Sequence, residues 1–338
     1  MNHQNGLWKL ACAAFAMLSM ASIAGCDQGG GGEVSSKGNG KEATAKVVKL
    51  AFVTNGSSDF WKIAFAGVRK YEREARIQVD IKVPQVSTPA EQNQLLESLA
   101  SQGYDAVGVS VLAPDDQVGV LNKVAEKVKL ITFDSDAPKS NRLLYIGTNN
   151  YEAGKVLGNE IVKLLPNGGK MAAFVGMFAV DNAAQRLKGI QDTVAPHNIQ
   201  LVDKREDNTD LAKARANVED IINAHPDLDV ATGLWSYNGP AIVAAVEGLG
   251  KKGKVIPAVF DEEHATLAGI ESGTVACTVV QKPFEFGYLG SKWLHRLATE
   301  GDAAIADIPP SKVIDTGVDV INKENVARFK ATLAEMKK

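Results

Sequence analysis

Lys49-Leu-Ala-Phe-Val53 and Lys170-Met-Ala-Ala-Phe-Val175 are two versions of one phrase: a Lys, then a short apolar run that closes on Phe-Val. The phrases that follow are also repeated. Gly67-Val68 returns as Gly189-Ile190, Tyr104-Asp-Ala-Val-Gly-Val109 as Leu228-Asp-Val-Ala-Thr-Gly233, and Leu130-Ile-Thr-Phe-Asp134 as Ile256-Pro-Ala-Val-Phe-Asp261. The offset drifts only from 121 to 127 residues. A period this long is a repeated domain; solenoid units are far shorter.

Each copy alternates strand-like and helix-like runs. Val47–Val53 is β-branched and apolar, Phe60–Arg76 has helical periodicity, and Ile77–Val83 reads as strand. Pro89–Gln102 then reads as helix, Ala106–Val111 as strand, Asp116–Lys127 as helix and Leu130–Phe133 as strand. Such alternation predicts βαβ units, and hence an α/β fold of two similar doubly wound parallel-sheet domains joined by a hinge. The expected division is residues 46–149 plus 282–310 for the first domain and 150–281 plus 311–338 for the second.

In doubly wound sheets ligands bind beyond the carboxyl ends of the strands. Two such domains facing each other would line one cleft, so the residues at those ends are the candidate site. Phe60 and Trp61 open the first helix. Neighbours on a helix point about 100° apart, so both cannot face one core, and at least one is expected to look into the cleft, where a flat ring can stack on a sugar. Asp134 and Asp261 end matching strands, one per copy. A carboxylate there can accept hydrogen bonds from vicinal hydroxyls, or it can cap the next helix. Arg186, on the first helix of the second copy, offers forked donors. Gln281 and Asn149 fall near expected crossings between domains, and Tyr237 and Asn238 follow the strand ending at Leu234. Aromatics, carboxylates, amides and one Arg suit a neutral polyhydroxylated ligand.

From Val47 onward the chain resembles the ribose-binding-protein branch of periplasmic sugar-binding proteins, which share their fold with LacI-type repressor cores. The resemblance is carried by Phe60-Trp61, Gln102-Gly-Tyr-Asp-Ala-Val107, Ile131-Thr-Phe-Asp-Ser-Asp-Ala-Pro138, Arg186-Leu-Lys-Gly189, Ala224-His-Pro-Asp227, Phe260-Asp261 and Gln281. It implies stacking at Phe60 and Trp61, hydroxyl recognition by Asp134 and Asp261, and contacts from Arg186 and the hinge-side Gln281. Tyr237 stands where the family carries Asn, Ser135 where ribose binders carry a second Arg, and Thr209 near their additional aromatic. Asp134-Ser-Asp136 is also similar to the branch that binds the furanosyl signal autoinducer-2. Pentose, hexose, polyol and that signal all fit the resemblance.

The amino terminus reads as an export address. Lys9 precedes an apolar run, Leu10 to Ile23, too short to span a bilayer comfortably. Ile23-Ala-Gly-Cys26 resembles the lipobox of bacterial lipoproteins, which implies cleavage before Cys26 and its lipidation. Residues 27–45 are Gly- and Ser-rich and read as a tether. Asp27 behind the lipidated Cys would fit retention at the cytoplasmic membrane.

The chain has 37 Lys and Arg against 40 Asp and Glu, a net charge of −3. With no basic patch, nucleic acid is not an expected partner. Cys277, the one cysteine of the body, lies in Thr274-Val-Ala-Cys-Thr-Val-Val280, which reads as a buried strand. Gly248-Leu-Gly-Lys-Lys-Gly253 matches a dinucleotide fingerprint in letters only. It follows a helix and precedes a strand, the reverse of the required order, and so predicts a helix end and a turn. No metal spacing or nucleophile motif appears. The expectation is therefore a non-enzymatic, cofactor-free, monomeric sugar-binding lipoprotein. Its partners would be an ABC permease with its ATPase, or else a membrane sensor.

Overall fold

The computed structural model describes residues 48–336; the expected leader, Cys26 and tether lie outside them. The first lobe begins with β1 (Leu50–Val53), α1 (Asp59–Ala75), β2 (Asp80–Lys82), α2 (Pro89–Ser101), β3 (Ala106–Val109), α3 (Val118–Ala125), β4 (Lys129–Phe133) and β5 (Leu144–Gly147). α4 (Asn150–Leu164) leads into the second lobe: β6 (Gly169–Val175), α5 (Asp181–Val194), β7 (Ile199–Glu206), α6 (Leu211–Ala224), β8 (Val230–Gly233), α7 (Asn238–Gly248), β9 (Ile256–Phe260), α8 (His264–Ser272) and β10 (Cys277–Val280). α9 (Pro283–Thr299), α10 (Asp302–Ala306) and β11 (Val313–Asp315) complete the first lobe; β12 (Asp319–Asn322) and α11 (Val326–Met336) complete the second.

The two sheets have equivalent orders, β11-β5-β4-β3-β1-β2 and β12-β10-β9-β8-β6-β7. All described pairings are parallel except β10 with β12. In both sheets the order reverses beside the first strand of the lobe, the topological switch point at which α/β sheets place ligands. β11 pairs in parallel with β5, Val313 opposite Tyr145. The last passage between lobes therefore falls between Asp315 and Asp319, beyond the expected break after residue 310. Three residues of strand were too short a signal to read.

The repeated glycines have a packing reason. In the first lobe α1 crosses α9 so closely that a Cβ on Gly67 would strike the Phe284 carbonyl, and one on Gly287 the Ala64 carbonyl. In the second, α5 crosses α4 in the same way, Gly189 against the Tyr151 carbonyl and Gly154 against that of Arg186. Each lobe thus packs its first helix on a helix that has just crossed over from the other.

Local signals account for the helix limits. Pro89 at the start of α2 needs no partner for a missing N–H, and Thr88 accepts from Glu91 N at 3.3 Å. Asn149 caps α4, accepting from Glu152 N at 3.2 Å. α6 ends before His225-Pro226. α7 closes at Gly248, and Gly250 and Gly253 take φ of +63° and +77° in the turn that leads to β9. This is the helix end expected of the glycine motif. Cys277 is buried and unpaired in β10, where burial pushes its thiol pKa up to about 12.

Candidate functional site: the interlobe cleft

The matched aspartates share more than their place in the sequence. Asp134 and Asp261 both adopt left-handed backbone, φ of +60° and +67°. Asp tolerates this region better than most residues, yet it costs energy and persists only where neighbours hold it. Here the hold is duplicated. Asp134 N donates to the Ile146 carbonyl at 3.2 Å and Asp261 N to that of Val279 at 2.9 Å. The carbonyl of Asp134 accepts from the Tyr145 hydroxyl at 2.9 Å and that of Asp261 from the Thr278 hydroxyl at 2.7 Å. Tyr145 with Ile146, and Thr278 with Val279, occupy equivalent places on the neighbouring strands. The kink ends each strand and turns its carboxylate into the cleft. Neither aspartate acts as a helix cap: no helix follows Asp134, and α8 starts three residues beyond Asp261 with Glu263 before it.

Both carboxylates line a cavity of about 530 Å³ between the lobes. Asn55, Phe60 and Trp61 face it from the first lobe, and Ser236 and Gln281 from the second. A further cavity of about 630 Å³ lies on the other side of Asp134, lined by Ser135, Asp136, Thr148, Asn150 and Asn182 among others.

The two carboxylates differ in their support. Asp261 accepts from Gln281 Nε2 at 3.1 Å and lies 3.7 Å from the Arg186 guanidinium. Arg186 is buried: Nε donates to Asn150 Oδ1 at 2.9 Å, Nη1 to the Leu234 carbonyl at 2.7 Å, and the guanidinium stacks 4.4 Å from the Phe260 ring centre. Asp134 has one side-chain donor, the Ser110 hydroxyl at 2.7 Å. Burial is the main cause that pushes its pKa up to about 6, with Asp261 adding to the rise and Ser110 and Arg186 opposing it. Burial likewise raises the pKa of Asp261, while Arg186 and Gln281 pull against it. The site therefore holds two carboxylates whose charged forms burial disfavours and one buried Arg only partly supports.

The structure brings five of the residues expected at the site, Phe60, Trp61, Asp134, Asp261 and Gln281, to one cavity. Arg186 stands behind Asp261 and lines neither cavity. Tyr237 is displaced from its expected place: its hydroxyl donates to Asp207 Oδ1 at 2.5 Å, and it lines neither cavity. Asp207 is buried and also accepts from Asn238 Nδ2 at 3.1 Å and Thr209 N at 2.8 Å, so this corner is a closed network. Trp61 is chiefly a core residue. Only 3 % exposed, it packs edge-on against Phe52, Phe60 and Phe133, leaving an edge at the cavity and its Nε1 on Asn55 Oδ1 at 3.2 Å. Phe60 is the more accessible ring. Asp136 is engaged within the protein, gripped by the Arg142 fork at 2.5 and 2.6 Å.

Sequence reading passed over Asn55 and Ser110, although each stands just past a strand end, where the cleft had to be. It also missed Gln92, a fully buried helix residue whose amide joins the ends of β1 and β3 through the Thr54 and Ser110 carbonyls at 3.1 and 2.8 Å.

A fold of two doubly wound lobes with ligand-type side chains at their facing strand ends defines a hinged binding protein. Residues 50–303 match the family model described as a periplasmic binding protein domain, and the chain belongs to that family. It is 25% identical over 263 residues to a ribose import binding protein of Bacillus subtilis, covering 76% of this chain and 82% of that one. An ABC transporter solute-binding protein from Burkholderia graminis, solved with D-arabinose, is 30% identical with a TM-score of 0.74, covering 83% of this chain and 97% of that one. A protein solved in the XylFII–LytSN complex is 26% identical with a TM-score of 0.68, covering 82% and 99%.

Proposed function

We propose that this protein captures a small carbohydrate in the interlobe cleft and presents it to an ABC importer. The carrying observation is the pair of left-handed aspartates, one per lobe, aimed into one cavity beside Phe60 and Gln281. Each carboxylate can accept from neighbouring hydroxyls, and an aromatic face can cover the C–H side of a sugar ring. Closure about the three chain crossings lets both lobes contribute bonds to one ligand. Relatives named for ribose and arabinose favour a pentose, with hexoses and polyols next.

Calorimetry with D-ribose, D-arabinose, D-xylose, D-galactose and ribitol tests this. One member should bind 1:1 and be recovered unchanged, as a non-enzymatic binder requires. No heat or thermal shift with any of these or with a furanosyl signal would end the carbohydrate reading.

The XylFII–LytSN neighbour supports a second reading, in which the closed form reports to a membrane sensor. Crosslinking in membranes separates the two: a permease partner favours uptake, a receptor or kinase favours sensing. Export and a lipid anchor at Cys26 complete the proposal. Cys26→Ser should release the protein from membranes, and continued attachment would remove the lipid from the account.

A further inference from the structure

The cavity of about 630 Å³ meets the one beside Phe60 and Gln281 at Asp134, which lines both. Its charged lining residues are Asp115, Asp116, Asp134, Asp136 and Asp181 against Arg142 alone, and the rest of the lining is neutral. Arg142 is engaged by Asp136, with Nη1 on the Lys312 carbonyl at 2.9 Å. Lys139, outside the lining, pairs with Asp115 at 2.9 Å and has Asp181 in its field. Among the described residues Asp116, Asp134 and Asp181 make no ion pair, although the Arg186 charge reaches Asp134 from behind Asp261.

A second observation points to a ligand here independently of charge. Thr148 lines the same cavity, is 2 % exposed, and its Oγ1 has no hydrogen-bond partner among the described residues. It stands beside Asp134: the Tyr145 hydroxyl lies 2.9 Å from the Asp134 carbonyl and 3.4 Å from that of Thr148. A buried hydroxyl left unpaired costs stability that a polar group of a ligand would recover.

The carboxylates come from both lobes, Asp115, Asp116, Asp134 and Asp136 from the first and Asp181 from the start of α5 in the second. Closure on a neutral sugar would gather like charges, a cost that grows as water leaves the cleft. A ligand ammonium removes that cost. It is a compact cation with three donors, suited to carboxylates and to Thr148 Oγ1.

Resting on the carbohydrate reading, we infer that this cavity is a subsite for an amino substituent. The ligand class is then an amino sugar, its hydroxyls at Asp134 and Asp261 and its ammonium in the second cavity with Asp116, Thr148 and Asp181.

The test is calorimetry on the full chain near neutral pH with D-glucose, D-galactose and D-ribose. Each is compared with its amine (glucosamine, galactosamine, 3-amino-3-deoxy-D-ribose) and with the N-acetyl form of that amine, which has lost the charge. At least one amino sugar should bind about fivefold or more tighter than both its parent and its N-acetyl form. Added NaCl should shrink that advantage, since exposed carboxylates carry part of it. Thr148→Val should lower the ratio without lowering the thermal melt, because it removes an unpaired hydroxyl and keeps the shape. Asp116→Asn combined with Asp181→Asn should bring it to about twofold or less.

Neutral sugars that bind as tightly as every amino sugar would overturn the subsite and leave the carbohydrate reading standing. An amine advantage untouched by Thr148→Val and by the double variant would place the amine elsewhere and overturn it as well. Failure of neutral and amino sugars alike would remove both readings.

Discussion

The lobes repeat one backbone device and support its carboxylate in opposite ways. The Asp134 carboxylate takes its side-chain support from a neutral group, the Ser110 hydroxyl, near the Gln92 amide that joins β1 to β3 and accepts from Gln117 Nε2 at 3.1 Å. The second lobe uses charge, with Arg186 beneath Asp261 and the buried Asp207 binding Tyr237 and Asn238. The difference teaches that two like carboxylates facing one cavity need not be balanced where each stands. Asp261 is partly compensated from within its lobe, Asp134 only from across the cleft, and burial still disfavours both charges, which a ligand's hydroxyls would relieve.

Arg186→Met should break this contrast most strongly. It leaves Asp261 without its cation and the Leu234 carbonyl without its donor, a loss of about 3–5 kcal/mol by calorimetric melting. Adding Asp261→Asn should restore part of it.

The next effect is on the ligand. Asp134→Asn and Asp261→Asn should each weaken sugar binding by about 1.5–3 kcal/mol in isothermal titration, as a charge-assisted acceptor is lost. Unchanged affinity in both would move the sugar elsewhere.

Gly67→Ala and Gly154→Ala probe where the lobes agree. Each forces a helix crossing apart and should cost about 1–3 kcal/mol in urea unfolding. A clear inequality would show that one crossing gives way more easily.

Asp134 sets a further effect through pH. Its pKa rises from 3.8 unfolded to about 6 folded, so between those values the folded state holds a proton that the unfolded state has released. Its contribution to stability is therefore full below pH 3.8, falls as pH rises through 6, and is level above. In Asp134→Asn the slope of stability against pH over that interval should flatten, leaving the part due to Asp261.

Tyr237→Phe should do least, removing one of the bonds to Asp207 at about 0.5–1.5 kcal/mol of stability and leaving sugar affinity as it was. A large affinity loss would return Tyr237 to the site.

What the sequence disclosed follows from how each feature is encoded. The repeat exposed the sheets and the paired aspartates because both depend on local runs that recur in register. The left-handed kinks were hidden, since Asp serves equally as a cap or a turn. Adjacent aromatics showed that Phe60 and Trp61 diverge, but which ring is buried depends on Phe52 and Phe133, residues far along the chain. Gln92 reads as an ordinary surface amide of a helix, and only the strand ends above it reveal its role. The share of α11 in the cavity was also illegible, because Leu333 meets it across some 270 residues from Phe60.

The crossing helices also impose a schedule on synthesis. The first lobe buries Phe52, Trp61 and Val68 with Phe286, Trp293 and Leu294 of α9, and its sheet gains β11 only at Val313–Asp315. The ribosome has by then supplied strands β6 to β10 of the other lobe. The lobe begun first thus waits for most of the other before it can close. A nascent chain stopped before residue 283 would leave that apolar face of β1 and α1 open to solvent and to neighbouring chains.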